Sequence, residues 1–447
     1  MSGRVVLAIT AGLALSACQT YVPIPQRLDA YPAALAARNL DEYPTDHAWT
    51  SGQLLAAALA RNPEISQALA TYRTAVASAK AARVRPAPSL TLTVEYSRDT
   101  SQWLYGGGAD IPLDQKTRRA ARLSSADLSA LQAYYDYCEA VWSVRSALNR
   151  ARIDHLAAEI EIADSWPLAE ARQLRADRMD ARVEAGEDAR SVALIARSEA
   201  ATAHHRLADA MAKRDLTNIA IARVLGVSPA IVANLKYLTS GEPSDPPPIR
   251  VTGTQAAQTR RDILRAVADY DLAENALRLE IARQYPEVRL GPGYSWDHGV
   301  AKLPFNLALA LPPSDMNRAA INQAEAKRAQ AGKTLESLQA GILSEIDHAV
   351  RAVARARLQL GLARDRDLPA AQSAANAAIR SLRAGEADRT DELAARSAQL
   401  EAELALNETQ RALAVAQADL QDALRTPFDP EELAVLESNL RQVGGGL

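Results

Sequence analysis

The chain has 447 residues, enough for one large domain or several small ones. Hydrophobic residues make up 48% of it but aromatics only 4%, so small and aliphatic side chains carry the apolar content and favour long, closely packed helices over a bulky core. Lys and Arg number 51 against 54 Asp and Glu, and this lack of a basic excess gives no support to nucleic-acid binding.

At the N-terminus Arg4 precedes an apolar run, residues 5–15, as long as the core of a signal peptide and too short to cross a bilayer as a helix. The run ends in Leu15-Ser16-Ala17-Cys18, and small residues before a cysteine resemble a bacterial lipobox. That likeness implies a signal peptide over 1–17, cleavage before Cys18 and a covalent lipid on the Cys18 thiol. Gln19 in place of an aspartate implies sorting to the outer membrane. An ordinary signal peptide with a chance cysteine is the alternative. Residues 18–48 carry several prolines and read as an extended arm. With Cys18 acylated, Cys138 has no partner for a disulfide inside the chain, and its helical surroundings predict a packing residue.

The rest of the chain is one unit written twice. Ala185-Gly186-Glu187, Arg190-Ser191, Leu194 and Ala196-Arg197-Ser198 recur at a constant offset of 199 residues as Ala384-Gly385-Glu386, Arg389-Thr390, Leu393 and Ala395-Arg396-Ser397. The units run over 49–238 and 254–427. A linker, 239–253, lies between them, where Pro243, Pro246, Pro247 and Pro248 forbid helix. Residues 428–447, ending in Gly444-Gly445-Gly446, read as a loose tail.

Each unit opens with a helix and then alternates with a period of two. Leu90, Leu92, Val94 and Tyr96 interleave with Thr91, Thr93 and Glu95, and Trp103, Tyr105, Ile111 and Leu113 continue the apolar face, so 89–113 predicts a hairpin. The same alternation over 287–311 predicts a second. Strands of about ten residues suit an outer membrane barrel, apolar face to lipid and polar face to a wet lumen. Tyr96, Trp103, Tyr105, Tyr294 and Trp296 fall near the hairpin tips, where an aromatic girdle meets the headgroups. Amphipathic hairpins on a soluble core are the alternative. Gly106-Gly107-Gly108 lacks a following Lys-Ser/Thr and is not a phosphate loop. Four strands leave open edges, which lipid does not tolerate, so several chains must share one wall.

Beyond each hairpin a long helix is predicted, 117–185 and 317–384, each holding one proline, Pro167 and Pro369, at equivalent places where a bend or break is expected. Shorter helices over 187–225 and 254–285 complete the layer. Leu393 and Leu400, and Leu406, Leu413 and Leu420, recur every seven residues, the spacing of interlocking helices. The six histidines show no ligand spacing, and no nucleophile motif or acid pair stands out, so neither a metal, a catalytic site nor a cofactor other than the Cys18 lipid is expected.

This order of elements resembles the outer membrane factor (TolC-like) family, lipoprotein branch. The likeness is carried by Asn62-Pro63, by Ile111-Pro112-Leu113 leading into Arg118-Arg119, and by the Ala-Gly-x-x-x-Arg-Ser/Thr turns. It implies a mainly α fold with a small β part: a homotrimer whose periplasmic α-barrel tunnel continues into a 12-stranded transmembrane β-barrel, four strands per chain. It further implies a passive, non-enzymatic exit duct for drugs or heavy metals in the outer membrane of a Gram-negative cell. The partners implied are outer membrane lipid, a periplasmic adaptor and an inner membrane pump of the resistance-nodulation-division (RND) or a related class. By the same resemblance, Gly186, Arg190, Ser191, Gly385, Arg389, Thr390 and Asp391 form the periplasmic tip that meets the adaptor and gates the tunnel, Asp391 as an acidic ring and the two arginines as ion-pairing locks. A second family acid is replaced here by Ala394. Two other readings stay open: the exit duct of a protein secretion system, and a non-conducting periplasmic scaffold.

Overall fold

A computed structural model describes residues 21–40, 48–96, 98, 103–233, 235, 253–297, 300–311 and 313–444. Cys18, the signal segment and nearly all of the linker lie outside the described residues. Residues 1–40 and 41–447 are separate units. In the first, Ala30–Ala37 forms a helix, α1, where an extended arm is expected from the prolines around it, and Arg27 pairs with Asp29 at 2.7 Å.

The second unit holds both repeats. Ser51–Arg61 (α2) starts at a reciprocal cap, Thr50 accepting from the Gln53 amide and the Gln53 side chain accepting from the Thr50 amide. Pro63–Ala82 (α3) follows at once, because Pro63 suits a first helical turn and forces Asn62 extended. Asn62 caps α3 through Glu64 N at 2.8 Å, while its amide group donates to Val224 O at 2.9 Å. Next come the strands Ser89–Tyr96 (β1) and Trp103–Pro112 (β2), then Lys116–Glu184 (α4), Arg190–Leu225 (α5) and the short Pro229–Val232 (α6).

The second repeat begins with Gly253–Thr259 (α7) and Arg261–Ala282 (α8). At their junction Arg260 stands where Asn62 stands in the first repeat. It too is extended, and it donates to Ala423 O at 2.6 Å, one repeat on from Val224. The job is kept and the side chain has changed: Arg260 is buried and needs Asp262 at 2.7 Å to balance its charge. Strands Glu287–Asp297 (β3), Val300–Lys302 (β4) and Phe305–Ala310 (β5) follow, then Arg318–Leu362 (α9), Leu368–Ala384 (α10), Arg389–Leu424 (α11) and Pro430–Gly444 (α12).

The two proline sites behave differently. Pro167 lies inside α4, which stays α-helical throughout its 69 residues, about 100 Å at 1.5 Å per residue. Pro369 instead follows a π-helical turn, Ala363–Asp367, which separates α9 from α10. The equivalent break in both long helices is thus found in one. A π turn is a common way to absorb the hydrogen bond a proline cannot make.

The expected tail is also a helix for most of its length. α12 packs on α2 and α4: Tyr137 Oη donates to Asn439 Oδ1 at 2.7 Å, and Leu436 is buried. Helix packing elsewhere rests on aliphatic seams. Ile342, Ile346, Leu413 and Leu420 join α9 to α11, and Leu168, Leu393, Leu400 and Leu404 join α4 to α11. Of the heptad leucines, Leu393, Leu400, Leu413 and Leu420 are buried and Leu406 is half-buried.

Candidate functional site

Among the described residues the strands form one antiparallel sheet in the order β1-β2-β3, with β4 and β5 lying one after the other along the far edge of β3. The two hairpins are therefore fused through β2 and β3, a pairing that the alternation within each hairpin does not reveal. Directly opposed residues share a face, so the register sorts the side chains completely. One face carries Leu90, Leu92, Val94, Tyr96, Trp103, Tyr105, Leu290, Tyr294, Trp296 and Leu307; Leu92 is 75% exposed and Leu90 72%. The other carries Thr91, Thr93, Glu95, Asp110, Arg289, Ser295 and Asn306, with Arg289 paired to Asp110 at 3.2 Å.

The five aromatics singled out from the sequence all lie on the apolar face near one end of the sheet. Tyr96 and Trp103 meet edge-on at 4.9 Å, Trp103 stacks on Tyr105 at 6.2 Å, and Tyr105 lies opposite Trp296. On the polar face, Gly106, Gly108, Gly291 and Gly293 occupy neighbouring positions, so the middle of that surface has no side chains. An apolar face this exposed and open edges at β1 and at β4/β5 are unfavourable in water, and the open edges are equally so in lipid.

At the other end of the helices the two turns are near-copies. Gly186 has φ +77° and Gly385 φ +74°, the left-handed region that ends a helix most cheaply in glycine. Each donates backwards in the same pattern, Glu187 N to Arg182 O at 2.9 Å and Glu386 N to Ser381 O at 2.9 Å. After the turns the copies diverge. Asp388 caps α11, accepting from Thr390 N at 2.7 Å and Asp391 N at 3.0 Å, while its twin Ala189 caps nothing. Asp391 closes the cap by accepting from Asp388 N at 3.3 Å, and Arg389 pairs with Glu392 at 3.0 Å. Arg190 and Ser191 are exposed, and Arg190 has no ion pair among the described residues. Thr390 is buried.

The residue that joins the two turns is Arg182, which the sequence does not single out. It holds Asp188 at 2.5 Å and also reaches Asp388 of the other repeat. The Thr390 hydroxyl above all, then the amides of Asp391 and Thr390 and the Arg182 charge, hold the Asp388 carboxyl below its usual range. A depressed carboxyl stabilises the fold above its ordinary value, and that contribution fades as pH falls through the lowered value.

Burial pushes the Cys138 thiol up to about 11, as fits a packing residue. Among the described residues, no group of three His, Cys, Asp or Glu side chains is placed to hold a metal, and no helix is long and apolar enough to cross a membrane.

Comparison with the curated proteins gives no match. Among solved structures the fold resembles the outer membrane protein VceC of Vibrio cholerae (19% identity, 85% of this chain and 97% of that one, TM-score 0.69). It also resembles the CmeC outer membrane channel of Campylobacter jejuni (14%, 96% and 98%, TM-score 0.71). A third likeness is to the open state of the MtrE outer membrane channel of Neisseria gonorrhoeae (17%, 86% and 90%, TM-score 0.69). The outer membrane efflux protein family matches in two stretches, residues 54–227 and 253–424, one for each repeat. A two-faced sheet joined to two long helical hairpins, matched repeat by repeat over most of its length, makes this chain a member of the outer membrane efflux protein family.

Proposed function

We propose that three copies of this chain close their sheets into one twelve-stranded barrel and act as the passive exit duct of a tripartite efflux system. The single observation behind this is the sheet itself: four strands wide, open at both edges, apolar on one face and polar on the other. Eight strands leave an interior filled by side chains, whereas twelve leave room for a channel. The helices would continue the duct into the periplasm and bring the turns at Gly186 and Gly385 to an adaptor bound to an inner membrane RND-type pump. Cys18 would carry the lipid that tethers the arm. Cys18→Ser is expected to remove a diacylglycerol-sized mass from the mature protein while the barrel still inserts, read by mass spectrometry of outer membrane fractions; an unchanged mass sinks the anchor.

In this reading the duct is shut at the tip by Arg182, which ties the first turn to the second through Asp388. Asp391 from three chains would form the acidic ring at that level. Arg182→Ala is expected to raise the open probability in planar bilayers, with a smaller rise for Arg190→Ala. Purified wild-type protein that never conducts, alone or with the Arg182 variant, would contradict the duct and favour the scaffold.

A further inference from the structure

The hydrogen bonds of the sheet fix which residues of its two outer strands turn their backbone groups outward. Gly293 N donates to Pro304 O at 2.8 Å, and Leu113 N donates to Val288 O at 3.1 Å. In an antiparallel ladder the N–H and C=O of one residue point to the same neighbour, and successive residues alternate. Odd-numbered residues of β3 therefore bond towards β4 and β5, and even-numbered ones towards β2. Carried through the register, the alternation leaves Leu90, Leu92, Val94 and Tyr96 of β1 with outward N–H and C=O groups. On the far edge it leaves Phe305, Leu307 and Leu309 of β5. Among the described residues no strand lies beyond either row. Pro304, which interrupts the far edge, has its missing N–H on the inner side and takes nothing from the outer row.

Every residue in both rows belongs to the apolar face of the sheet. Two such edges can pair directly. Each hydrogen-bonded pair then sets an apolar residue against an apolar one, and both faces run on across the seam. Had one row come from the polar face, pairing would need a one-residue slip, which turns a strand's faces over.

The duplication supplies the register of that seam. The junction of β2 with β3 leads from the first repeat to the second; β5 against β1 of another copy is the same junction, leading from the second repeat to the first. Pro88 corresponds to Pro286, and Ile111-Pro112 to Leu311-Pro312. These two anchors, applied separately, carry Ser89 onto Glu287 and Asp110 onto Ala310. Ser89 is indeed opposed to Asp110, and Glu287 to Ala310, at the base of their hairpins. The observed pairs of β2 with β3 can then be transferred. Ile111 opposite Leu290 becomes Leu311 opposite Leu92, Gly107 opposite Tyr294 becomes Leu307 opposite Tyr96, and Gly108 opposite Gly293 becomes Ala308 opposite Glu95. The helices stand in the same order as the strands they flank. Arg83 joins α3 to α4 through Asp127 at 2.9 Å, Arg265 joins α8 to α4 through Asp136 at 2.5 Å, and Arg328 joins α9 to α8 through Glu274 at 3.0 Å.

We propose that β5 of one copy pairs antiparallel with β1 of the next in this register, Ala308 opposite Glu95, so that the seam between molecules repeats the seam between the two halves of one. This rests on the barrel reading above and adds to it the partner strand and its alignment.

The test is oxidative cross-linking of the full-length protein in outer membrane fractions, with Glu95→Cys and Ala308→Cys in one chain. Their templates, Gly293 and Gly108, form a pair without mutual hydrogen bonds, the closer kind at about 4.5 Å between Cα atoms and within disulfide reach. Inside one chain the two sites lie on opposite edges of the sheet, three strand spacings or about 14 Å apart, so the bond forms only between copies. Copper-phenanthroline oxidation is expected to give dimer and trimer bands on a non-reducing gel. They should be at least about tenfold stronger than from Thr93→Cys with Ala308→Cys, a diagonal pair about 7–8 Å apart. Leu307→Cys with Tyr96→Cys tests the same register should the first pair fail to insert. Stronger linking of the diagonal pair, or no linking by either aligned pair in protein that light scattering shows to be a trimer, overturns the register and leaves the trimer standing. A monomer in that measurement overturns both.

Discussion

Glu432→Ala is expected to destabilise the folded protein by about 3–5 kcal/mol, because it strands a buried guanidinium. Arg145 is 2% exposed and Glu432 5%. The arginine reaches Glu432 Oε2 from Nε at 2.7 Å and from Nη2 at 2.6 Å, and it also donates to Gln421. Remove the carboxylate and the charge stays enclosed between α4 and α11 with little to compensate it. Thermal unfolding in detergent, followed by circular dichroism, measures the loss. Removing both charges together, Arg145→Met with Glu432→Leu, should recover most of the stability, since a buried ion pair exchanged for apolar side chains of similar size is often neutral. If the single variant melts with wild type, α12 is not braced through this pair.

Gly108→Trp is expected to lower single-channel conductance sharply without unfolding the sheet. Gly108 lies on the polar face between Thr91 and Gly293, and a Cβ built there meets nothing nearer than Pro292 O at 4.0 Å. The new side chain is therefore free to stand out from the wall. In the proposed trimer it appears three times at one height of the lumen, in a zone that Gly106, Gly291 and Gly293 leave bare. The matched control is Leu92→Trp, one strand over and on the apolar face, where Leu92 is 75% exposed. It should leave conductance unchanged. Equal effects of the two would mean that the faces are assigned the wrong way round.

Much of this was legible because the responsible signals are local. A period of two marks the strands, and a glycine at the end of a helical run marks a reversal, so the repeat and its 199-residue offset could be read directly. What was hidden is long-range or quiet. The tie from Arg182 to Asp388 spans 206 positions, and nothing near either residue announces the other. Glu432 looks like a surface acid at a helix start and is in fact enclosed. The final helix was obscured by the glycines that follow it, although Leu433, Leu436 and Leu440 carry a helical spacing. At the prolines the symmetry holds only in part: equivalent positions predicted a bend or break in both long helices, and only the second is interrupted, by the π turn before Pro369.

The arginine tie has a consequence for how a ring of such chains would move. Its twin positions, Ser381 and Ala189, offer neither the cation nor the acid, so the link is made once per chain and not twice. Six turns would then travel as three coupled couples, with any dilation concentrated at the three junctions between neighbouring molecules, and the duplicated halves are no longer interchangeable.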